Sequence, residues 1–349
     1  MGEAARLAST NMGNPDLTTT AASMVAPGKG ILAADESIGT MSKRLEAVGV
    51  PATAENRRAY RDMLVTTPGI SEFVSGVILS DDVFRGKAND GTPFPEKVDQ
   101  LGMLPGIKVD MGAKPLAGAP GETVTEGLDG LRERLKEYVP MGARFAKWRA
   151  VINIDDVLPS RYAIDANAHA LARYAALCQE AGIVPIVEPE VLMDGSHSIE
   201  RCEEVTEAVL QWTFSSLVAH RVLLEGVVLK PNMVLPGKGC PQQATVEEVA
   251  EGTLRCLARS VPAAVPGIAF LSGGQGPEPA TAHLNEMNRR GSQPWGLSFS
   301  FGRALMDPAL QAWKGDPANV EAAQAALAHR CTLNGAARSG SYTPEMERA

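Results

Sequence analysis

The 349-residue chain predicts an α/β protein built as a single (β/α)8 barrel, the TIM barrel. Three observations point there. Short apolar runs bounded by turn residues recur eight times, as expected of strands buried on both faces. Helical patterns separate them. Charged residues collect where the runs end, which is where such a barrel gathers its functional groups.

In order, the runs are GKGILAADES (Gly28–Ser37), GVILS (Gly76–Ser80), GIKVD (Gly106–Asp110), FAKWRAVINI (Phe145–Ile154), IVPIVEPE (Ile183–Glu190), EGVVLKPN (Glu225–Asn232), GIAFLSGG (Gly267–Gly274) and WGLSFSFGRA (Trp295–Ala304). After the third, Val124, Leu128, Leu131 and Leu135 step by four and three residues, the spacing of one helix face. Ser160 can cap a helix that Gly182 can end. Ile199, Cys202, Val205, Val209 and Trp212 form another apolar stripe. Thr245 and Glu248 make a capping box ahead of Val249 and Leu254. No linker or repeat divides the chain. Residues 1–24 read as an N-terminal extension, flexible at its start, 25–335 as the barrel, and 336–349 as a short tail. A doubly wound dinucleotide fold would want GxGxxG after the first strand. GKGILAAD has only two of those glycines, and both precede the apolar part.

Composition narrows the function. Hydrophobic residues make up 44% and charged residues 21%, the balance of a soluble globular protein. A net charge of -8 without a basic stripe argues against a nucleic-acid partner. An anionic ligand would need a local island of Lys and Arg. Cys178, Cys202, Cys240, Cys256 and Cys331 are scattered and never spaced CxxC, which suggests reduced thiols in the cytoplasm. The N-terminus has no apolar signal region, and Arg6 stands where myristoylation wants Ser or Thr. No apolar run is long enough to span a bilayer.

The polar run ends carry the chemistry. The first ends in Asp35 and Ser37. Lys108 lies on the third, Lys147 and Arg149 on the fourth, Glu188 and Glu190 on the fifth. Lys230 ends the sixth, Ser272 and Gly273 the seventh, Gly302 and Arg303 the eighth. Taken singly, each has an ordinary explanation. Asp35 or Glu190 could cap a helix, Lys108 could reach to solvent, Arg44 could lie on a solvated face. In a barrel, however, all these ends meet in one mouth. Clustered cations with a Ser-Gly-Gly turn suit phosphate groups. A strand-end lysine near other cations can be neutral enough to attack a carbonyl and form an imine. Paired carboxylates can move the protons, and Asp35 is available as a further base. A phosphate-sugar isomerase would share the carboxylates and the phosphate turn, but would have no use for Lys230 as an imine former.

At these positions the sequence resembles class I fructose-1,6-bisphosphate aldolases. The matching stretches are VAPGKGILAADES, KRL beside Arg44, AENRRAY, GIKVD, KPLAG, GETVTEGLDGL, FAKWR, ARYA, GIVPIVEPE, LEGVVLKPNMV, FLSGGQ and FGRAL, from about Val25 to Tyr342. The resemblance implies reversible cleavage of fructose 1,6-bisphosphate to dihydroxyacetone phosphate and glyceraldehyde 3-phosphate. Lys230 would be the Schiff-base lysine and Glu188 the acid/base for imine formation. Lys147 would assist the carbinolamine, with Glu190 beside it, and Asp35 would serve C–C bond making and breaking. Arg303, Ser272, Gly273 and Gly302 would bind one phosphate, with Arg44 nearby. Lys108, Arg149, Ser37 and Thr40 would bind the other, Thr40 replacing a serine. Phe301 stands where many relatives carry tyrosine. The implied enzyme needs no cofactor and no metal, binds sugar bisphosphate and triose phosphates, and forms a cytoplasmic homotetramer. His169, His197, His220, His283 and His329 are scattered away from the strand ends. Animal relatives end in a tail tyrosine that exchanges the enamine proton. Here the polar Glu345, Glu347 and Arg348 are expected to stay undocked, leaving enamine protonation to Glu188 or a water it holds.

Overall fold

The computed structural model describes residues 15–348. The expected flexible start of the chain therefore lies outside the described residues. From Pro15 to Met24 the extension is a helix, α1. The chain continues through β1 (Gly30–Ala34), α2 (Ile38–Ala47), α3 (Ala54–Val65), β2 (Val74–Leu79), α4 (Asp81–Phe84), α5 (Phe94–Gln100) and β3 (Leu104–Lys108). Next come β4 (Ala113–Pro115), β5 (Thr123–Thr125), α6 (Leu131–Tyr138), β6 (Phe145–Ile152), α7 (Arg161–Glu180), β7 (Val184–Val191) and α8 (Ile199–Ala219). The rest is β8 (Val228–Leu229), α9 (Val246–Ser260), β9 (Gly267–Phe270), α10 (Pro277–Arg289), β10 (Gly296–Phe301), α11 (Arg303–Trp313) and α12 (Val320–Arg338).

Eight strands close a barrel in the order β1, β2, β3, β6, β7, β8, β9, β10 and back to β1, every pair parallel. Each of the eight apolar runs overlaps one of these strands. The sixth is the shortest: a 3-10 turn at Leu224–Gly226 precedes a strand of only two residues. Lys230 lies one residue past that strand, yet its N–H still donates to the Val187 carbonyl at 2.8 Å.

Alternation along the strands sorts the side chains. Leu32, Ala34, Phe299 and Phe301 belong to the apolar layer beneath the helices. Ile31, Ile78, Phe145, Val184, Ile186, Val228 and Ala269 fill the interior with Leu17, Ala21 and Met24. Thus α1 seals the end of the barrel where the strands begin. The fit is tight: a Cβ on Gly106 would sit 2.2 Å from the Phe145 ring, so only glycine lets that ring in.

The expected helix starts hold. Ser160 Oγ accepts from the Ala163 N–H, and Gly182 ends the helix at φ +78°. Thr245 and Glu248 form the reciprocal capping box. Val124, read as part of a helical stripe, is instead in β5 and pairs with Lys114 across an antiparallel hairpin. The helix begins only at Leu131. Tertiary bonds override the local pattern here: Thr125 Oγ1 donates to the Arg149 carbonyl at 2.7 Å, and Thr123 Oγ1 to that of Val151 at 3.0 Å.

The tail corrects another expectation. Residues Pro344–Arg348 form a 3-10 helix that docks. Arg330 is 4% exposed on α12. Its Nη1 donates to Glu347 Oε2 at 2.5 Å, and the Tyr342 hydroxyl donates to Glu347 Oε1 at 2.9 Å. A buried guanidinium needs a counter-ion, and Glu347 supplies it. No helix among the described residues is long and apolar enough to cross a membrane.

Candidate active site

Each inward-facing row changes from apolar to charged as it climbs toward the end of its strand. Phe145 is followed by Lys147 and Arg149, Ile186 by Glu188 and Glu190, Val228 by Lys230, Ile31 by Ala33 and Asp35, Gly106 by Lys108 and Asp110. Parallel register sets the rows side by side, with Lys108 opposite Lys147 and Arg149 opposite Glu188. The result is one cavity of about 370 Å³ at the mouth. All fourteen residues singled out in the sequence line it: Asp35, Ser37, Thr40, Arg44, Lys108, Lys147, Arg149, Glu188, Glu190, Lys230, Ser272, Gly273, Gly302 and Arg303.

At its floor, four buried charges alternate in sign. Lys147 Nζ lies 2.7 Å from Asp35 Oδ2 and 3.2 Å from Glu188 Oε2. The other oxygen of Glu188 lies 3.3 Å from Lys230 Nζ. Lys147, Glu188 and Lys230 are each 3% exposed and Asp35 is 8% exposed. Such burial is tolerable only because every charge has an opposite neighbour. Burial alone would raise the Asp35 carboxyl, but the Lys147 and Lys230 ammonium groups outweigh it and hold it well below the usual carboxylate range. Burial alone would lower Lys147. Asp35 and Glu188 reverse that and keep it firmly cationic. Glu188 Oε2 is buried and makes no hydrogen bond despite its closeness to Lys147, so it keeps unused acceptor capacity.

Around this floor stands a ring of cations. Arg149 Nε pairs with Glu190, which holds the guanidinium charged against the cost of its burial. Lys108 Nζ meets Asp110 Oδ1 at 2.6 Å. On one side, Ser37 caps α2: its Oγ accepts from the Thr40 N–H at 3.3 Å and lies 3.1 Å from the Thr40 hydroxyl. Two hydroxyls at a helix start beside Lys108 suit an anion. On the other side is the Ser272-Gly273-Gly274 turn, closed by the Gln275 N–H donating to the Ser272 carbonyl at 2.9 Å. Gly302 and Arg303 start α11 next to it. Among the described residues, Arg303 makes no hydrogen bond or ion pair. Arg44 differs, since it already pairs with Glu36 and, at 2.6 Å, with Asp307.

The structure adds cavity residues that sequence reasoning passed over. Asp110 anchors Lys108 and also accepts from the Arg149 N–H at 3.2 Å. Its place two residues after Lys108 in GIKVD was the available signal. Glu36 joins Arg44 to the buried Arg61, whose Nη2 lies 2.6 Å from Glu36 Oε2. Nothing local foretold that, because Arg61 is on a different helix. Ser300 is buried, lines the cavity and leaves its hydroxyl unpartnered. Its inward position follows from alternation with the apolar Phe299 and Phe301. Phe301 itself packs under the helices and does not line the cavity. All five cysteines are unpaired. Among the described residues, no group of three or more His, Cys, Asp or Glu side chains is arranged to hold a metal ion.

A family model for fructose-bisphosphate aldolase class-I matches residues 16–349. A protein of Xanthomonas campestris pv. campestris named probable fructose-bisphosphate aldolase class 1 is 59% identical over 93% of this chain and 98% of its own length. Fructose-bisphosphate aldolase 6, cytosolic, of Arabidopsis thaliana is 54% identical over 94% of this chain and 91% of its own. Among solved structures, the fructose-bisphosphate aldolase of Plasmodium falciparum, in complex with TRAP and a small-molecule inhibitor, superposes with a TM-score of 0.93. It is 46% identical and covers 94% of this chain and 95% of its own.

Proposed function

We propose, for a chain that belongs to the class-I fructose-bisphosphate aldolase family and catalyses reversible cleavage of fructose 1,6-bisphosphate through a lysine Schiff base, that Lys230 is the residue that forms the imine. The observation that carries this is the row Asp35, Lys147, Glu188, Lys230, in which a buried amine faces a carboxylate backed by a second, permanently charged ammonium. Glu188 takes a proton from Lys230, freeing its lone pair to attack the substrate carbonyl carbon. Lys147 stabilises the alkoxide that develops there. Glu188 gives its proton to that alkoxide to make the carbinolamine hydroxyl, takes a second proton from the nitrogen and delivers it to the hydroxyl, and water leaves as the iminium forms. Asp35 takes the proton of the C4 hydroxyl as the C3–C4 bond breaks, and the bonding pair flows into the iminium to give an enamine. Glyceraldehyde 3-phosphate departs. Asp35 releases its proton to solvent as that product leaves, Glu188 regains one from solvent through a water it holds, and Glu188 or that water protonates the enamine at C3; hydrolysis of the iminium then releases dihydroxyacetone phosphate. Because the iminium is the electron sink, these steps call for no metal. Glu190 keeps Arg149 in place beside Lys147.

Lys108, Arg149, Ser37 and Thr40 hold one phosphate in this reading. Arg303, Ser272, Gly273 and Gly302 hold the other, with Arg44 as a paired neighbour. Residues 25–335 are the barrel proper, flanked by 1–24 and 336–349. The assembly is a homotetramer in the cytoplasm; the cytosolic plant relative supports the compartment and the family resemblance supports the oligomer. The test is Lys230→Met. It should abolish cleavage while leaving the melting profile of a folded barrel. Residual turnover above about 1% of wild type would transfer the imine to another amine, because losing a covalent path costs far more than hundredfold.

A further inference from the structure

Lys238 belongs to none of the roles assigned above. The chain leaving Lys230 runs buried from Pro231 to Gly237, and Lys238 is its first exposed residue. Its backbone is fixed. The Gly237, Lys238 and Gly239 N–H groups donate to the carbonyls of His197, Met193 and Gly195 at 2.8, 2.9 and 2.7 Å. A Cβ on Gly237 would sit 2.4 Å from the Gly195 carbonyl oxygen, so glycine is what lets these two loops meet. From that anchor the side chain reaches over the Ser272-Gly273-Gly274 turn. The point where Gly274 would carry a Cβ lies 2.8 Å from Lys238 Nζ and 3.1 Å from Arg303 Nη2. Two cationic heads thus converge to within about 6 Å of each other over one turn, close enough to repel appreciably. Among the described residues no carboxylate pairs with Arg303. Lys238 has only Asp194, at 3.3 Å and with its side chain 70% exposed, a long and solvent-screened pair. The backbone N–H groups of Ser272, Gly273 and Gly274 donate to no acceptor among the described residues. Two positive charges above unengaged amides match a doubly negative phosphate, whose arrival would turn the repulsion into attraction.

We propose that Lys238 is a specificity-determining residue for the aldol reaction: a second cation, beside Arg303, that recruits the phosphate bound at the Ser272–Gly274 turn. This rests on the assignment of that turn as a phosphate end. Lys238 exchanges Asp194 for the substrate, so the two side chains act in opposite directions on binding. A loop-tying salt bridge would behave otherwise, because removing either partner would then have the same effect.

The experiment measures KM for fructose 1,6-bisphosphate and competitive inhibition by inorganic phosphate in Lys238→Met, Lys238→Glu, Lys238→Arg and Asp194→Asn, with Arg303→Lys alongside. Loss of one half-exposed cation should raise both constants about fivefold, and charge reversal should raise them by about the square of that. Lys238→Arg should restore them, Asp194→Asn should lower them, and kcat and borohydride trapping should persist in the Lys238 and Asp194 variants. Unchanged constants in Lys238→Met and Lys238→Glu, or an Asp194→Asn shift in the same direction as Lys238→Met, overturn the inference. If Arg303→Lys raises the constants while the Lys238 variants do not, the inference fails alone. If none of them responds, the turn is not a phosphate end and the assignment falls with it.

Discussion

Replacing Lys147 by methionine removes the central ammonium from a row of four buried charges. Two carboxylates depend on it, at 2.7 Å and 3.2 Å. At an effective dielectric constant near 20, each contact is a Coulomb term of about 5–6 kcal/mol. Much of that is cancelled by desolvation, and truncating one partner of a buried pair costs about 3–5 kcal/mol. Lys230 still faces Glu188, so the lower figure, about 3 kcal/mol at pH 8, is expected. For a chain of this size that is a fall of about 5 °C in Tm. The pH dependence gives the sharper test. In the wild type the Asp35 pKa is depressed, so its contribution is present above the unfolded value near 4 and lost only in stronger acid. The Lys147 pKa is raised, so its contribution persists up to the unfolded value near 10 and disappears above the folded one. This pair therefore makes no slope between pH 5.5 and 8.5. Without Lys147, both of its lowering effects on Asp35 are gone, and burial, the largest single influence on that carboxyl, pushes it upward against the remaining Lys230 and Lys108. The folded state then binds more protons than the unfolded state, so stability falls as pH rises. Thermal melts of the variant across that range should show Tm increasing on acidification, beyond any wild-type trend. Its kcat/KM should fall about 10²- to 10⁴-fold, the usual contribution of a positioned proton-transfer or charge-stabilising group. A variant with wild-type pH dependence and kcat/KM within threefold of wild type would refute the reasoning.

Other outcomes follow from the same geometry. Arg303→Lys keeps the charge but loses the planar fork; at about 1.5–3 kcal/mol for a charge-assisted bond, kcat/KM should fall about tenfold to a few hundredfold, and no change would remove Arg303 from the site. Exhaustive chelation should leave full activity, whereas a loss that zinc or cobalt restores would mean that a metal polarises the carbonyl. Glu347→Ala leaves the buried Arg330 without its counter-ion and should lower stability by about 3 kcal/mol, read in denaturant melts. Cleavage and enamine proton exchange should persist in that variant; exchange slowed more than about tenfold with cleavage intact would give the docked tail a catalytic part.

The barrel was legible because strands buried on both faces must be apolar throughout, while the ends that meet in the mouth need not be. Lys147 with Arg149 and Glu188 with Glu190 announced themselves as charges two apart on otherwise apolar strands, a spacing that fixes one face. Three-residue strands leave no such trace. Thr123–Thr125 is too short for periodicity, and its pairing with Ala113–Pro115 and its bonds to β6 are tertiary facts. The tail was misread for a related reason: Glu347 is polar, and what holds it is Arg330 on a helix seventeen residues earlier in the chain. Glu36 and Lys238 escaped notice because what they lie against, Arg61 and the Gly274 turn, comes from other elements.

The imine is the centre of the account, and reduction with borohydride tests it most directly. Adding borohydride with dihydroxyacetone phosphate should inactivate the enzyme irreversibly and place one reduced adduct on Lys230, found by peptide mass mapping. Activity that survives the treatment, or an adduct confined to Lys147, Lys108 or another lysine, would contradict it.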